Sequence, residues 1–265
     1  MISITPYTEI FKIFGYSVQT WGAVVAIGIA ISLFLMLKKA AKKKLFDDAE
    51  ILISYVMVSA LIGARAAYVI VSPEEFPNFF SLFMISEGGL ISWGFLLGGI
   101  FGAILCKLFT KMKNEKIREL LDLMAPYFML AIAIGRIGCF LRGCCYGIPS
   151  GLPWAVSYAG EIPVHPTQIY HSILDFLIFF ALLKINSKKE HLQSEKIESK
   201  FSLINRKGSS FLLFLILYSA ERFFVDFLRY HPAAEYIGAI SITQFVFMLV
   251  FFAAFWLIIK KNAKN

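Results

Sequence analysis

The amino-acid sequence predicts an all-α membrane protein of seven transmembrane helices, with the N-terminus outside and the C-terminus in the cytoplasm. Three observations carry that expectation. The 265 residues are 58% hydrophobic, with a mean hydropathy of +0.70, whereas a soluble domain is closer to half apolar. Only 17% are charged, and they gather in blocks. The blocks leave apolar runs of about twenty residues, enough to cross ~30 Å of hydrocarbon. Finally, the lysines and arginines fall on alternate connections.

The spans are expected at about 18–37, 49–71, 88–109, 120–141, 166–183, 210–228 and 238–259, within a single helical domain covering 1–265. Met1–Ser17 has one lysine, one glutamate and a proline but no basic leader region. The first apolar segment therefore reads as a retained helix. Segments 38–50, 107–119, 184–207 and the tail carry 20 of the 26 basic residues. Basic loops stay cytoplasmic, so the parity is odd and seven spans fit it. The same lysines account for the net charge of +8. They read as flanks attracted to anionic lipid head groups, so the partner is a lipid bilayer and no nucleic acid is expected.

Four arginines sit where a membrane helix should not carry them: Arg65, Arg136, Arg222 and Arg229. Each costs at least ~2.5 kcal/mol at a helix centre, and less near the interface. Asp122, Asp175, Glu221, Asp226 and Glu87 are candidate partners. In "LYSAERFFVDFLRY", Tyr218, Arg222, Asp226 and Arg229 have spacings of 4, 4 and 3, which predicts one stripe of a helix. Asp226 is expected to pair with either arginine without neutralising both. The stripe reads either as a structural ion-pair ladder or as an anion site, for which the planar guanidinium fork suits phosphate.

"VHPTQIYH" (Val164–His171) opens the fifth span with Pro166 at the expected first helical position. His165 stands before free helix N–H groups, a favourable place for an anion, or else is a plain polar cap. "GGLISWGFLLGGIFG" (Gly88–Gly102) has small residues at spacings that allow close helix approach. Three of the four cysteines lie in "GRIGCFLRGCCYG" (Gly135–Gly147) with spacing C-x4-C-C. A metal site there would need a fourth ligand such as His165 or His231, and the spacing fits no common zinc knuckle. A disulfide, a reactive thiol near arginine and small packing residues in a tight turn are the other readings. No metal and no cofactor is expected.

Taken in order, "GARAAYV", "EGGLISWGFLLGG", "GRIGCFLRGCCYG", "HPTQIY", "YSAERFFVDFLR" and "ISITQ" resemble the motifs of the prolipoprotein diacylglyceryl transferases, over nearly the whole chain. The resemblance implies a multi-pass bacterial inner-membrane enzyme. Its substrates would be phosphatidylglycerol and prolipoprotein signal peptides with a lipobox cysteine. The diacylglyceryl group would move to that thiol, and glycerol-1-phosphate would leave. It also implies catalytic roles for Arg222, Tyr218 and His165, the last two as candidates for thiol activation. Lipid binding would fall to Arg136, Gly147, Arg65, Asp226, Arg229, Gln168 and Tyr170, with Gly135, Gly138 and Gly143 as further signature glycines. The chain departs from the family pattern in four places. Trp93 stands where a catalytic histidine is usual, Trp21 where a tyrosine is, Cys139 where an asparagine is, and Cys144 where some members have an acid. A phospholipid binder or carrier on the same fold, and a membrane thiol-redox protein, are the alternative readings.

Overall fold

A computed structural model of the chain describes residues 2–13, 16–75, 89–194, 206–231 and 236–263. Among them are seven α-helices: α1 (Thr20–Lys42), α2 (Phe46–Val71), α3 (Ser92–Thr110), α4 (Asn114–Arg142), α5 (Thr167–Ser194), α6 (Ser209–Asp226) and α7 (Ile242–Ala263). Six of the seven are long and apolar enough to cross a membrane. The exception is α6, whose 18 residues would still reach ~27 Å. It carries Glu221, Arg222 and Asp226, and those charges set it apart. Apolar side chains such as Phe34, Ile62, Phe109, Phe180, Phe224 and Trp256 lie exposed on the helices. That surface suits lipid better than water. The protein is a multi-pass helical membrane protein.

An all-α expectation omits six short strands. β1 (Ile2–Ile4) pairs in parallel with β4 (Val156–Tyr158). β2 (Glu9–Ile13) and β3 (Tyr16–Gln19) form one hairpin, and β5 (Tyr236–Ile237) and β6 (Ile240–Ser241) another. The described part of 72–87 holds a 3-10 turn at Pro73–Glu75; the rest of it, with Glu87, lies outside the described residues.

The chain divides into two compact units, Leu37–Leu121 and the pair Met1–Met36 with Asp122–Asn265. In the first, α2 buries Ala49, Leu52, Ile53, Val56, Ala60, Ala64 and Ala67, a stripe at helical spacing. Against it α3 turns its glycines. A Cβ on Gly98 would run into the Ser59 carbonyl oxygen, and one on Gly94 into Ala67 Cβ. The small-residue reading of this segment therefore describes a backbone-to-backbone contact.

The second unit holds α5, α6 and α7 with most of α4. Pro166 precedes α5 instead of opening it: its carbonyl accepts from the Ile169 and Tyr170 amides, so it serves as the cap. At the other end α5 runs past Lys184, where apolar periodicity stops, to Ser194. The reason is Lys189, which turns inward. Its Nζ donates to Asp122 Oδ2 at 2.8 Å and to Ser209 Oγ at 3.0 Å. Asp122 also accepts from the Gly208 amide at 2.7 Å and the Phe211 amide at 2.9 Å. A carboxylate on α4 thus caps the positive N-terminus of α6, and a lysine on α5 neutralises it.

Asp122→Ala leaves Lys189 buried without its anion and the first turn of α6 uncapped. The expected cost is about 3–5 kcal/mol, read as a lower unfolding temperature in detergent. Lys116→Ala, which breaks the half-exposed pair with Asp48, is expected to cost under about 1 kcal/mol.

Candidate active site

The end of α4, the start of α5 and the end of α6 are joined by backbone. The Gly147 amide donates to the His165 carbonyl at 2.8 Å, and the Ile148 amide to the Leu228 carbonyl at 2.9 Å. Gly147 and Arg229 form an antiparallel bridge. A Cβ on Gly147 would strike the Leu228 carbonyl oxygen and stand 2.7 Å from His165 Cβ. Glycine is required there because three backbones converge.

Arg222 is fully buried. Its Nη1 lies 3.1 Å from His171 Nε2, and His171 Nδ1 is hydrogen-bonded to Glu221 Oε1. With the carboxylate accepting from Nδ1–H, the Nε2 lone pair is left to accept from the guanidinium. The Phe247 ring lies 5.6 Å from the Arg222 Cζ, within cation–π reach. Tyr218 stacks on Phe214 and meets Phe247 edge-on at 5.4 Å, which fixes the phenol one turn from Arg222. Arg136 and Arg229 are both within electrostatic range of Arg222. Neither Arg136 nor Arg229 forms an ion pair among the described residues, and Arg229 Nε is buried with no hydrogen-bond partner there. Asp175 is buried with no hydrogen bond to either carboxyl oxygen among the described residues, within range of Arg136 and Arg222.

Two expectations about this stripe are corrected. Arg229 is not on it, because α6 ends at Asp226. The chain then closes into tight turns, the Leu228 amide donating to Val225 and the Arg229 amide to Asp226. The pull comes from the bridge to Gly147. Among the described residues, the contacts shown for the Asp226 carboxylate are to a serine and a histidine instead of an arginine. Its Oδ2 accepts from Ser241 Oγ at 2.5 Å and lies 2.9 Å from His231 Nε2, because β6 lays Ser241 across the end of α6.

The HPxQxY residues divide into two groups. His165 Nδ1 lies 3.3 Å from the Tyr170 hydroxyl, which also accepts from Trp154 Nε1 at 2.8 Å. Gln168 instead ties down the cysteine loop: its Nε2 donates to the Cys144 carbonyl at 2.5 Å and to the Tyr158 hydroxyl at 3.3 Å. Thr167 Oγ1 donates to the Cys145 carbonyl at 2.8 Å. Burial pushes the Tyr158 phenol up to about 12 against the Gln168 hydrogen bond, so it stays neutral as that acceptor.

Cys139, Cys144 and Cys145 are free thiols whose sulfurs all lie within 4.8 Å of one another. The expected fourth ligand is not among them. His231 is engaged by Asp226, and His165 by Tyr170.

Arg65 is in the other unit. It donates to the Gly89 carbonyl at 3.2 Å, and its guanidinium sits 5.8 Å from the Tyr68 ring centre. His171 is the residue that sequence reasoning left without a role. It stands in the quoted "VHPTQIYH", but its partner Glu221 is 50 positions away.

Fold and cluster together define a multi-pass helical membrane protein with arginines in its polar centre. A family model described as prolipoprotein diacylglyceryl transferase matches residues 8–260. The chain is 33% identical over 244 residues to a Clostridium tetani protein named phosphatidylglycerol–prolipoprotein diacylglyceryl transferase, covering 89% of this chain and 90% of that one. It is 32% identical over 253 residues to a protein of the same name from Finegoldia magna, covering 94% of each. This chain belongs to the prolipoprotein diacylglyceryl transferase family.

Gly147→Ala must push the Leu228 and His165 backbones apart. The expected cost is about 1–3 kcal/mol, seen as a lower melting temperature and faster amide exchange at Ile148. Gly151→Ala, with nothing within 4 Å of its Cβ, is the control and is expected to melt like wild type.

Proposed function

We propose that the protein transfers the diacylglyceryl group of phosphatidylglycerol to the lipobox cysteine of a prolipoprotein, releasing glycerol-1-phosphate. The relatives' names and the family supply the reaction. The observation that carries it on this chain is the arginine cluster. Arg136 and Arg229 form no ion pair among the described residues, beside a fully buried Arg222, and the buried Asp175 carboxyl in their neighbourhood is hydrogen-bonded to neither. Like charges in low dielectric call for an anion, and a phosphodiester has the matching charge and fork geometry.

In this reading the acceptor sulfur attacks the glyceryl carbon as the carbon–oxygen bond breaks. Phosphate charge grows from about −1 toward −2, so fixed guanidiniums stabilise the transition state more than the bound lipid. Arg136 and Arg222 hold the phosphate, Arg229 adds to the field, and the Glu221–His171 pair aims Arg222. His165 and Tyr218 stand nearest the role of accepting the thiol proton. Gly147, Gln168 and Tyr170 keep the loops around the phosphate in place, and Asp226 anchors the end of α6.

The topology belongs to the same proposal: seven spans, N-terminus outside, C-terminus inside, in a bacterial cytoplasmic membrane. The β1–β4 pairing supports it. It ties the N-terminus to the loop after α4, so these two lie on one side, as the parity of the spans requires.

Arg136→Ala and Arg222→Ala are each expected to lower transfer to a lipobox peptide in proteoliposomes by about 10²–10³-fold, as loss of an oxyanion donor does. Arg222→Lys is expected to rescue little, since a lysine cannot reproduce the fork. Near wild-type transfer by either alanine variant would remove these roles. Bound phosphatidylglycerol without any thioether product would favour a lipid carrier.

A further inference from the structure

We propose that Cys139, Cys144 and Cys145 form a three-thiolate zinc site whose open fourth position takes the acceptor cysteine as its thiolate. The inference rests on the transfer reading above and names how the nucleophile is made.

Cys139 is on the last turn of α4, and Cys144 and Cys145 are on the turn that follows. Their sulfurs lie within 4.8 Å of one another. Three sulfurs at ~2.3 Å from a tetrahedral zinc stand ~3.8 Å apart, so small side-chain rotations close the set. No histidine or carboxylate joins the group among the described residues. Three protein ligands leave one tetrahedral corner open, which is the arrangement of catalytic rather than structural zinc.

The loop is also held from outside itself. Thr167 and Gln168, from the first turn of α5, bind the carbonyls of Cys145 and Cys144. The Cys144 amide donates to the Cys139 carbonyl at 3.2 Å. Cys145 has φ 61°, the left-handed region that costs a non-glycine residue about 1–2 kcal/mol. Plain packing of small side chains asks for none of this. A disulfide would use two of the sulfurs and leave the third over.

Charge and chemistry agree. Three thiolates around a divalent cation sum to one negative charge, and an incoming thiolate makes two. Arg136, one turn before Cys139 on α4, and Arg229 lie within electrostatic range of Cys145. The guanidiniums that take the phosphate in the transfer reading therefore stand beside the sulfurs as well. Binding at the open corner removes the proton of the acceptor thiol to solvent or to His165. The sulfur lone pair then forms the bond to the glyceryl carbon, and the carbon–oxygen pair leaves on the phosphate. The product thioether carries no charge and is a weak ligand, so it leaves the site free for the next thiol.

The test uses the full-length protein in nanodiscs, reduced, loaded with Zn²⁺ or Co²⁺ and desalted. The expected result is about one zinc per chain by elemental analysis. Zinc affinity should fall at least about 10-fold in each of Cys139→Ser, Cys144→Ser and Cys145→Ser and stay unchanged in Cys106→Ser. The cobalt form should show thiolate-to-cobalt absorption that shifts when a lipobox peptide is added, and not with its Cys→Ser analogue. The chelated wild-type protein, with its melting temperature recorded, repeats the comparison without any substitution. Failure to retain zinc, equal retention by the triple Cys→Ser variant, or a cobalt spectrum indifferent to the thiol peptide overturns the proposal. Full-rate transfer by metal-free protein overturns it too, with the transfer reading intact. Zinc bound as expected, with the peptide shift but no glycerol-1-phosphate released, supports the site and removes the transfer reading instead.

Discussion

A guanidinium cannot be neutralised by losing its proton, and the rest of this structure is arranged around that fact. Arg222 lies inside the helix bundle with no exposed surface. It is held there by a histidine that is itself oriented by a carboxylate, and by the face of Phe247. These contacts fix its direction. Arg136 and Arg229 approach without ion pairs of their own among the described residues, and the proposed anion site rests on that arrangement.

Holding the arginines in register falls to the backbone more than to side chains. Gly147 lets the loop after α4, the start of α5 and the end of α6 touch. Asp122 and Lys189 secure the far end of α6. Both ends of the helix bearing Arg222 are therefore anchored to α4, directly or through its loop. Thr167 and Gln168 extend the same device to the cysteine turn, so a displacement of α5 would move sulfurs and guanidiniums together.

Much of this was legible in the sequence, for identifiable reasons. Arg136 and Arg222 stand out because a charge in an apolar run is costly, whatever the fold. The α2–α3 contact is visible because its glycines repeat at helical spacing. What escaped needed distances between remote residues. The His171–Glu221 pair spans 50 positions. Spacing alone put Arg229 on the α6 stripe, since nothing local announces that the helix stops at Asp226 for a bridge to Gly147. The charge of Asp226 suggests an arginine partner, whereas the contacts are to nearby His231 and to Ser241, which the β5–β6 hairpin brings back to it. As a linear pattern, the cysteines' C-x4-C-C matches no common metal or redox motif. Their convergence is a property of the turn and of the α5 side chains that hold it.

If the arginine cluster holds a phosphate that leaves as a thioether forms, the two products must appear together. The most direct measurement incubates purified wild-type protein with phosphatidylglycerol and a lipobox peptide, counting both products in the same sample. Glycerol-1-phosphate and diacylglyceryl thioether are expected in equal amounts, rising together. Phospholipid consumed without thioether, or thioether formed while a different phosphate product is released, would contradict it.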